Sequence, residues 1–190
     1  QIKVHGRAAH AGLEPEKGVN ASVEIAHQVL QLSKLEDPAH GTTVVPTLMH
    51  SGTSTNTVPE LAVIDVDARS FQTSELERVD KAIKSFKANH PEAKLEIVGG
   101  LNRPPLQPSS TQELFEVAKR VYAEIGMGEL QAAEVGGASD GNFAASAGAK
   151  VLDGLGAVGG GAHAATEWVS VKSISERSKF LHELIKALLK

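Results

Sequence analysis

Ala62-Val-Ile-Asp-Val-Asp-Ala-Arg-Ser70 alternates without a break: Ala62, Ile64, Val66 and Ala68 fall on one side, Val63, Asp65, Asp67 and Arg69 on the other. Side chains of an extended strand face opposite sides in turn, so this period of two predicts a strand with one face in a core and one in water. Upstream, Thr42 to Met49 is rich in β-branched residues but holds Pro46. A proline cannot donate to a ladder, which predicts an edge strand or a bulge there. The polar turn Ser51 to Pro59 joins the two strands.

Downstream, Ser74-Glu-Leu-Glu77 reads as a capping box, and Leu76, Val79, Ile83 and Phe86 mark one face of a helix that His90-Pro91 ends. Leu95 to Val98 reads as the next strand. At the other end, residues 1 to 9 read as a strand ending near the Ala8 to Gly12 turn. From Gly18 to about Leu35, Val23, Ala26, Val29 and Leu30 recur at helical spacing. The order β-α-β-β-α-β predicts the ferredoxin-like sandwich, a mostly antiparallel four-stranded sheet with two helices on one face.

Gly99 to Pro108 is rich in glycine and proline and marks a boundary near residue 108, giving domains 1–108 and 109–190. In the second part, Ser110-Thr-Gln-Glu113 reads as another capping box. Leu114, Val117, Ala118, Val121 and Ile125 form a stripe, with Gly126 as C-terminal cap. A short helix is expected near Asn142 to Ala147, a brief strand around Val151, and a final amphipathic helix over Ser173 to Lys190 with Ile174, Leu181, Leu184, Ile185 and Leu188. Helices with so few strands cannot bury their own apolar faces, so this part calls for a sheet from elsewhere. The fold class is α/β in the α+β sense.

Composition narrows the function. There is no cysteine, hence no disulfide, thiolate chemistry or Cys-ligated zinc, which fits a cytoplasmic location. The net charge of −4, without clustered Lys and Arg, argues against a nucleic-acid partner. No apolar run approaches the ~20 residues a membrane helix needs.

The chemistry sits in loops of small residues. Gly159-Gly-Gly-Ala-His163 sets three residues without a Cβ shortly before an imidazole, which can ligate a metal, shuttle a proton or hold a substrate; a surface turn is the plain alternative. His10 in Gly6-Arg-Ala-Ala-His-Ala-Gly-Leu-Glu-Pro15, Asn56 in Gly52-Thr-Ser-Thr-Asn-Thr-Val-Pro59, Arg103 before Pro104-Pro105, and Gly136 to Gly141 share that character.

Together these stretches resemble the zinc-dependent exopeptidase and aminoacylase family that includes glutamate carboxypeptidase, acetylornithine deacetylase and succinyl-diaminopimelate desuccinylase. Residues Gly6 to Ala21 resemble the opening of its dimerisation, or lid, domain, and Gly52 to Glu60 its Gly-Gly-x-x-x-Asn-x-Val-Pro turn. Asp67-Ala-Arg69 resembles its Asp-x-Arg strand end, Gly137-Ala-Ser-Asp140 its pocket loop, and Gly160 to Val169 its terminal His-x-x-x-Glu-Tyr-Val segment. The resemblance implies a ferredoxin-like dimerisation domain followed by the C-terminal, mostly helical portion of a catalytic domain that holds two zinc ions per intact subunit. It implies His163 as a zinc ligand and His10 as the histidine that polarises the scissile carbonyl in the partner's active site. Asn56, Arg103 and, ranked below them, Arg69 are implied as substrate-binding residues; Asp140 and Glu167 read as structural, Asp140 as a cap for the helix after it.

The family's remaining metal motifs, His-x-Asp and a Glu-Glu pair, are absent: no histidine here has Asp two positions on, and no two glutamates are adjacent. The expectation is a C-terminal part of a zinc-dependent hydrolase of amide or peptide bonds, acting beside a carboxylate-bearing residue on a small peptide or N-acyl amino acid. In the intact enzyme, metal-bound water would attack the amide with a glutamate as base. Without its N-terminal half the chain is expected to be inactive, to bind zinc weakly and to form a homodimer through 1–108. The alternative is a non-enzymatic ferredoxin-like dimerisation or binding module.

Overall fold

The computed structural model describes residues 1–189, and the chain divides into two compact units, Gln1–Pro105 and Leu106–Lys190. In the first unit the strands β1 (Ile2–His5), β3 (Thr43–Ser51), β5 (Leu61–Arg69) and β6 (Lys94–Ile97) form one sheet in the order β3-β5-β1-β6. Every pairing is antiparallel. A short ribbon of β2 (Ala9–His10) and β4 (Thr57–Val58) stands apart from it. The helices are α1 (Ala21–Leu32) and α2 (Thr73–Lys84), so the main elements follow the ferredoxin-like order.

The alternating run is β5. Ala62 and Ile64 lie opposite Val4 and Ile2, and all four are buried in a core with Val19, Ile25, Leu32, Val44 and Val79. Val66 and Ala68 pack against that core, while Asp65 and Asp67 take the other face. β3 is an edge strand and its register shifts between Pro46 and Leu48, so both consequences of the proline are realised.

α1 corrects the expected stripe. Its buried face is Ala21, Glu24, Ile25, Gln28 and Leu32, whereas Val23 and Leu30 are 56% and 62% exposed. The face is rotated because it includes two polar residues that a hydrophobicity pattern assigns to water. The Glu24 carboxylate accepts from the Asn89 and His90 amides at 2.9 and 2.8 Å and from Gln28 Nε2 at 2.6 Å. Gln28 Nε2 also donates to the Lys87 carbonyl at 3.2 Å. Buried polar groups are retained when they are hydrogen-bonded, and this pair ties the chain after α2 to α1.

Both expected capping boxes are absent. α2 opens at Thr73, so Ser74 lies within its first turn, and it is Glu75 rather than Glu77 that is engaged, accepting from Thr42 Oγ1 at 2.9 Å and from Arg78. In the second unit, α3 (Pro108–Glu124) starts on Pro108, whose missing N–H costs nothing in a first turn. Ser110 is thus already helical, and its carbonyl accepts from Val151 N at 2.9 Å. Val151 is not part of a strand, contrary to expectation; that hydrogen bond to α3 holds it instead.

α3 buries Ala118 and Val121 against Phe180 and Leu184 of α5 (Val171–Leu188). Tyr122 meets Phe180 edge to face at 5.0 Å, a contact of about 1 kcal/mol beyond area burial. Gly126, at φ 79°, ends α3 as its position suggests. Between these helices lie α4 (Gly141–Ser146) and the two-residue strands β7 (Gly159–Gly160) and β8 (Trp168–Val169). Ile174, Leu181, Ile185 and Leu188 of α5 remain exposed, so one of its two apolar faces is uncovered.

Glu24 makes a pH-dependent contribution. Burial alone would raise its pKa, but the two amides and Gln28 outweigh it and hold the carboxyl below its ordinary value of 4.5. A depressed carboxyl stabilises the fold fully above the unfolded value and loses that contribution as pH falls through the folded one. Glu24→Ala is therefore expected to lower stability by about 2 kcal/mol at neutral pH, since it leaves buried amides unpaired. Denaturant titrations should show a smaller loss for the variant than for the wild type on acidification, and equal losses would contradict the assignment.

Candidate functional site

Two of the residues singled out from sequence meet in the β2/β4 ribbon. His10 pairs with Thr57, Ala9 with Val58, and the Ala11 amide donates to the Asn56 carbonyl at 2.8 Å. The ribbon's base is pinned on several sides. A Cβ on Gly6 would lie 2.0 Å from the Val19 carbonyl oxygen, so the close passage of these segments depends on a glycine. Arg7 Nε donates to the Lys17 carbonyl at 2.7 Å, and its two terminal nitrogens grip Glu92 at 3.3 and 3.1 Å. That guanidinium holds the Glu92 carboxyl below the usual range.

Both ribbon side chains are exposed. His10 Nδ1 accepts from the Gly12 and Leu13 amides, each at 3.1 Å. Asn56 Oδ1 accepts from Ser54 Oγ at 2.9 Å. An exposed imidazole edge and an amide NH2 can each address an acceptor oxygen.

Arg69 is exposed at the end of β5 and forms a bidentate pair with Asp67, at 2.9 and 2.8 Å. The Arg69 hydrogen bonds keep the Asp67 carboxyl low, and the carboxylate in turn raises the Arg69 guanidinium. A substrate carboxylate would compete with Asp67 for it. Arg103 is half-buried in the segment before Pro104.

In the second unit, His163 has φ 66°, the one non-glycine residue with positive φ among the described residues. It occupies the third position of a turn closed by Ala164 N donating to the Gly161 carbonyl at 2.9 Å. Such a position usually takes glycine, and a larger residue there stores strain. The glycines before it allow the close pairing of β7 with β8: a Cβ on Gly159 would meet the Trp168 carbonyl at 2.4 Å. His163 itself is exposed. In the 136–141 loop, Asp140 stands at the head of α4 but its side chain does not cap it; Ser139 Oγ accepts from Gly141 N at 3.0 Å instead.

One further cluster has little signature in the sequence. Asp37, His40 and Glu75 bring ligand-type atoms within 4.8 Å of one another. His40 Nδ1 donates to Asp37 Oδ2 at 2.8 Å, and Glu75 accepts from Arg78 and Thr42. The Asp37 bond and charge raise the His40 pKa, and Arg78 lowers that of Glu75. With Asp37 bonded to His40 and Glu75 to Arg78 and Thr42, the cluster's acceptor atoms are already engaged. Its only sequence signal was Asp37 and His40 three residues apart.

As to zinc, the loops that the resemblance singles out offer one ligand, His163, whereas a catalytic zinc usually takes about three protein ligands. The Asp37, His40 and Glu75 atoms are the one ligand-type group among the described residues, and Asp37 and His40 already bond to each other and Glu75 to Thr42 and Arg78.

Residues 1–94 match the family described as the peptidase dimerisation domain. The chain is similar to carboxypeptidase G2 of Pseudomonas sp. (strain RS-16), with 30% identity over 190 residues covering 97% of this chain and 46% of that protein. It is also similar to the uncharacterized protein YqjE of Bacillus subtilis (strain 168), with 32% identity over 152 residues, 76% of this chain and 39% of that protein. Among solved structures, aminopeptidase PepT from Bacillus cereus ATCC 10987 superposes with a TM-score of 0.70 at 25% identity, over 100% of this chain and 51% of that one. The chain thus spans less than half the length of the curated relatives it matches. Among the described residues no helix is long and apolar enough to cross a membrane.

The backbone at His163 gives a direct test. His163→Gly and His163→Ala both remove the imidazole, but only glycine accepts positive φ without cost. The glycine variant is expected to be about 1 kcal/mol more stable than the alanine variant in denaturant unfolding, and the reverse order would refute the left-handed turn.

Proposed function

Because residues 1–94 are a peptidase dimerisation domain and the chain fits the C-terminal part of the zinc exopeptidase family, we propose that it is the dimerisation domain and catalytic-domain tail of a zinc-dependent hydrolase of amide or peptide bonds. The substrate class is a small peptide or N-acyl amino acid with a free carboxylate beside the scissile bond, as for a glutamate carboxypeptidase. The observation that carries this reading is the ribbon that holds His10 and Asn56 side by side on a pinned loop, both exposed.

In this reading His10 donates to the carbonyl oxygen as negative charge develops there, in the active site of the neighbouring subunit. A donor placed for the charged state lowers the barrier by a few kcal/mol in comparable hydrolases. Asn56 and Arg103 address the substrate carboxylate, Arg103 with the fork geometry that suits it. Arg69 ranks below them because its pair with Asp67 reads as an ordinary surface ion pair nearly as well. His163 is one metal ligand, offered from a strained turn of the kind found at functional sites. The other ligands belong to an N-terminal half, with two zinc ions expected per intact subunit and no tight zinc binding by this chain alone.

The homodimer forms, in our proposal, along β3 and the outer face of α1. β3 is the longer of the sheet's two edge strands, with nine residues against four in β6, and it carries no Lys, Asp or Glu. Proteins usually blunt an unpaired edge with charge, so a long uncharged one suits a partner strand. α1 runs beside it, with Ser22 Oγ 2.6 Å from Ser51 Oγ, and exposes Val23 and Leu30.

Mixing the chain with a separately produced N-terminal half is expected to restore zinc-dependent hydrolysis of N-acyl glutamates that neither part shows alone. His10→Ala should then lower kcat by about a hundredfold. Full activity of the isolated chain, or none in the mixture, would overturn the reading. Leu30→Asp should shift the chain from the mass of two copies to that of one in sedimentation, with unchanged circular dichroism.

A further inference from the structure

We infer that the Ala11–Leu13 turn fixes the His10 imidazole in the tautomer with its hydrogen on Nε2, making His10 a hydrogen-bond donor rather than a base. A neutral imidazole has one N–H and one lone pair, and the bond made by one nitrogen decides which role is left to the other. Here the Gly12 and Leu13 amides both donate to Nδ1, each at 3.1 Å. A backbone N–H can only donate, so no exchange of roles is open to these partners. A hydrogen on Nδ1 would face two amide hydrogens. The lone pair must therefore lie on Nδ1, and Nε2 carries the hydrogen.

The turn that supplies the amides is itself held. Ala11 N donates to the Asn56 carbonyl at 2.8 Å, Glu14 N to the His10 carbonyl at 3.2 Å, and Lys17 N to the Glu14 carbonyl at 3.0 Å. Elsewhere in the chain the opposite arrangement occurs. His40 turns Nδ1 towards the Asp37 carboxylate at 2.8 Å, which requires the hydrogen on Nδ1. Local partners thus decide the tautomer residue by residue: at His90 a single amide, Glu92 N, donates to Nδ1 at 3.2 Å, and at His10 two amides do so.

The consequence is chemical. An Nε2–H can stabilise a carbonyl oxygen, a carboxylate or an oxyanion, whereas it cannot take a proton from water or a substrate while the turn holds Nδ1. Gly12 and Leu13 are thus positioning residues acting through their amides. The role towards substrate rests on the function proposed above; the tautomer does not.

Two measurements on the full chain test the tautomer without substrate. Long-range proton–nitrogen correlation spectra at neutral pH are expected to give His10 the Nε2–H pattern, and an Nδ1–H or averaged pattern overturns the inference. His10→Ala should speed amide exchange at Gly12 and Leu13 by about fivefold, the factor for losing a bond of ~1 kcal/mol; unchanged exchange also overturns it. The donor role is read in the mixture with the N-terminal half. His10→Gln, which keeps a donor and offers no ring base, should retain about tenfold more kcat than His10→Ala. Equal values reject the donor role, while a mixture without any activity rejects the proposed function and leaves the tautomer to the spectra.

Discussion

The register of β5 against β1 is the constraint on which the first unit depends. Ile64 opposite Ile2 and Ala62 opposite Val4 fill the core, and a slip of one residue would bring Asp65 and Asp67 to the same face. That slip would bury two carboxylates without partners, so the register is strongly specified. Its effect extends past the sheet. Gly6 N donates to the Glu60 carbonyl at 2.8 Å, just beyond the His5–Leu61 pair, so β2 and β4 continue the path of the two central strands. The register then moves by one residue across Gly6 and leaves His10 opposite Thr57. The placement of the ribbon is therefore a consequence of core packing many residues away, which gives two exposed loop residues a fixed spacing.

The sheet and the order of elements were legible in the sequence because the relevant signals are local. Strict alternation in β5 has one physical reading, and both readings of Pro46 in β3, an edge or a bulge, describe the strand that forms. The faces of helices were less legible. In α1 the buried side includes Glu24 and Gln28, and what makes their burial tolerable is a set of amides near residue 89, distant in sequence. Hydrophobicity along α1 could not report it. The capping boxes failed for a related reason: Ser-x-x-Glu marks a start only if the preceding residues are not helical, and Thr73 and Pro108 extend the helices backwards.

For the candidate site, the small-residue loops marked stretches of the chain but not their internal bonds. Nothing in Gly6 to Pro15 signals that the turn's own amides would grip the imidazole, since that depends on the backbone path after His10. Likewise, three glycines before His163 suggested unusual backbone, yet the left-handed residue proves to include the histidine itself, after Gly161 at φ 70°. Arg69 was ambiguous between substrate and surface pair, and its fork on Asp67 two positions back is the geometry that strand alternation makes available.

The two histidine loops solve one problem in different ways. An exposed side chain has several rotamers, and fixing one costs entropy unless the neighbourhood favours it beforehand. At His10 the ring is fixed by hydrogen bonds to its own nitrogen, within a turn held by ribbon pairing and by Arg7 at its base. At His163 the backbone is fixed instead: pairing of Gly159 with Val169 and of Gly160 with Trp168 sets the loop's stem, and the left-handed turn sets where the side chain leaves the chain. A ring held through its nitrogen has one edge already in use and presents the other. A ring delivered by strained backbone is fixed at its Cα and leaves both nitrogens to choose their partners.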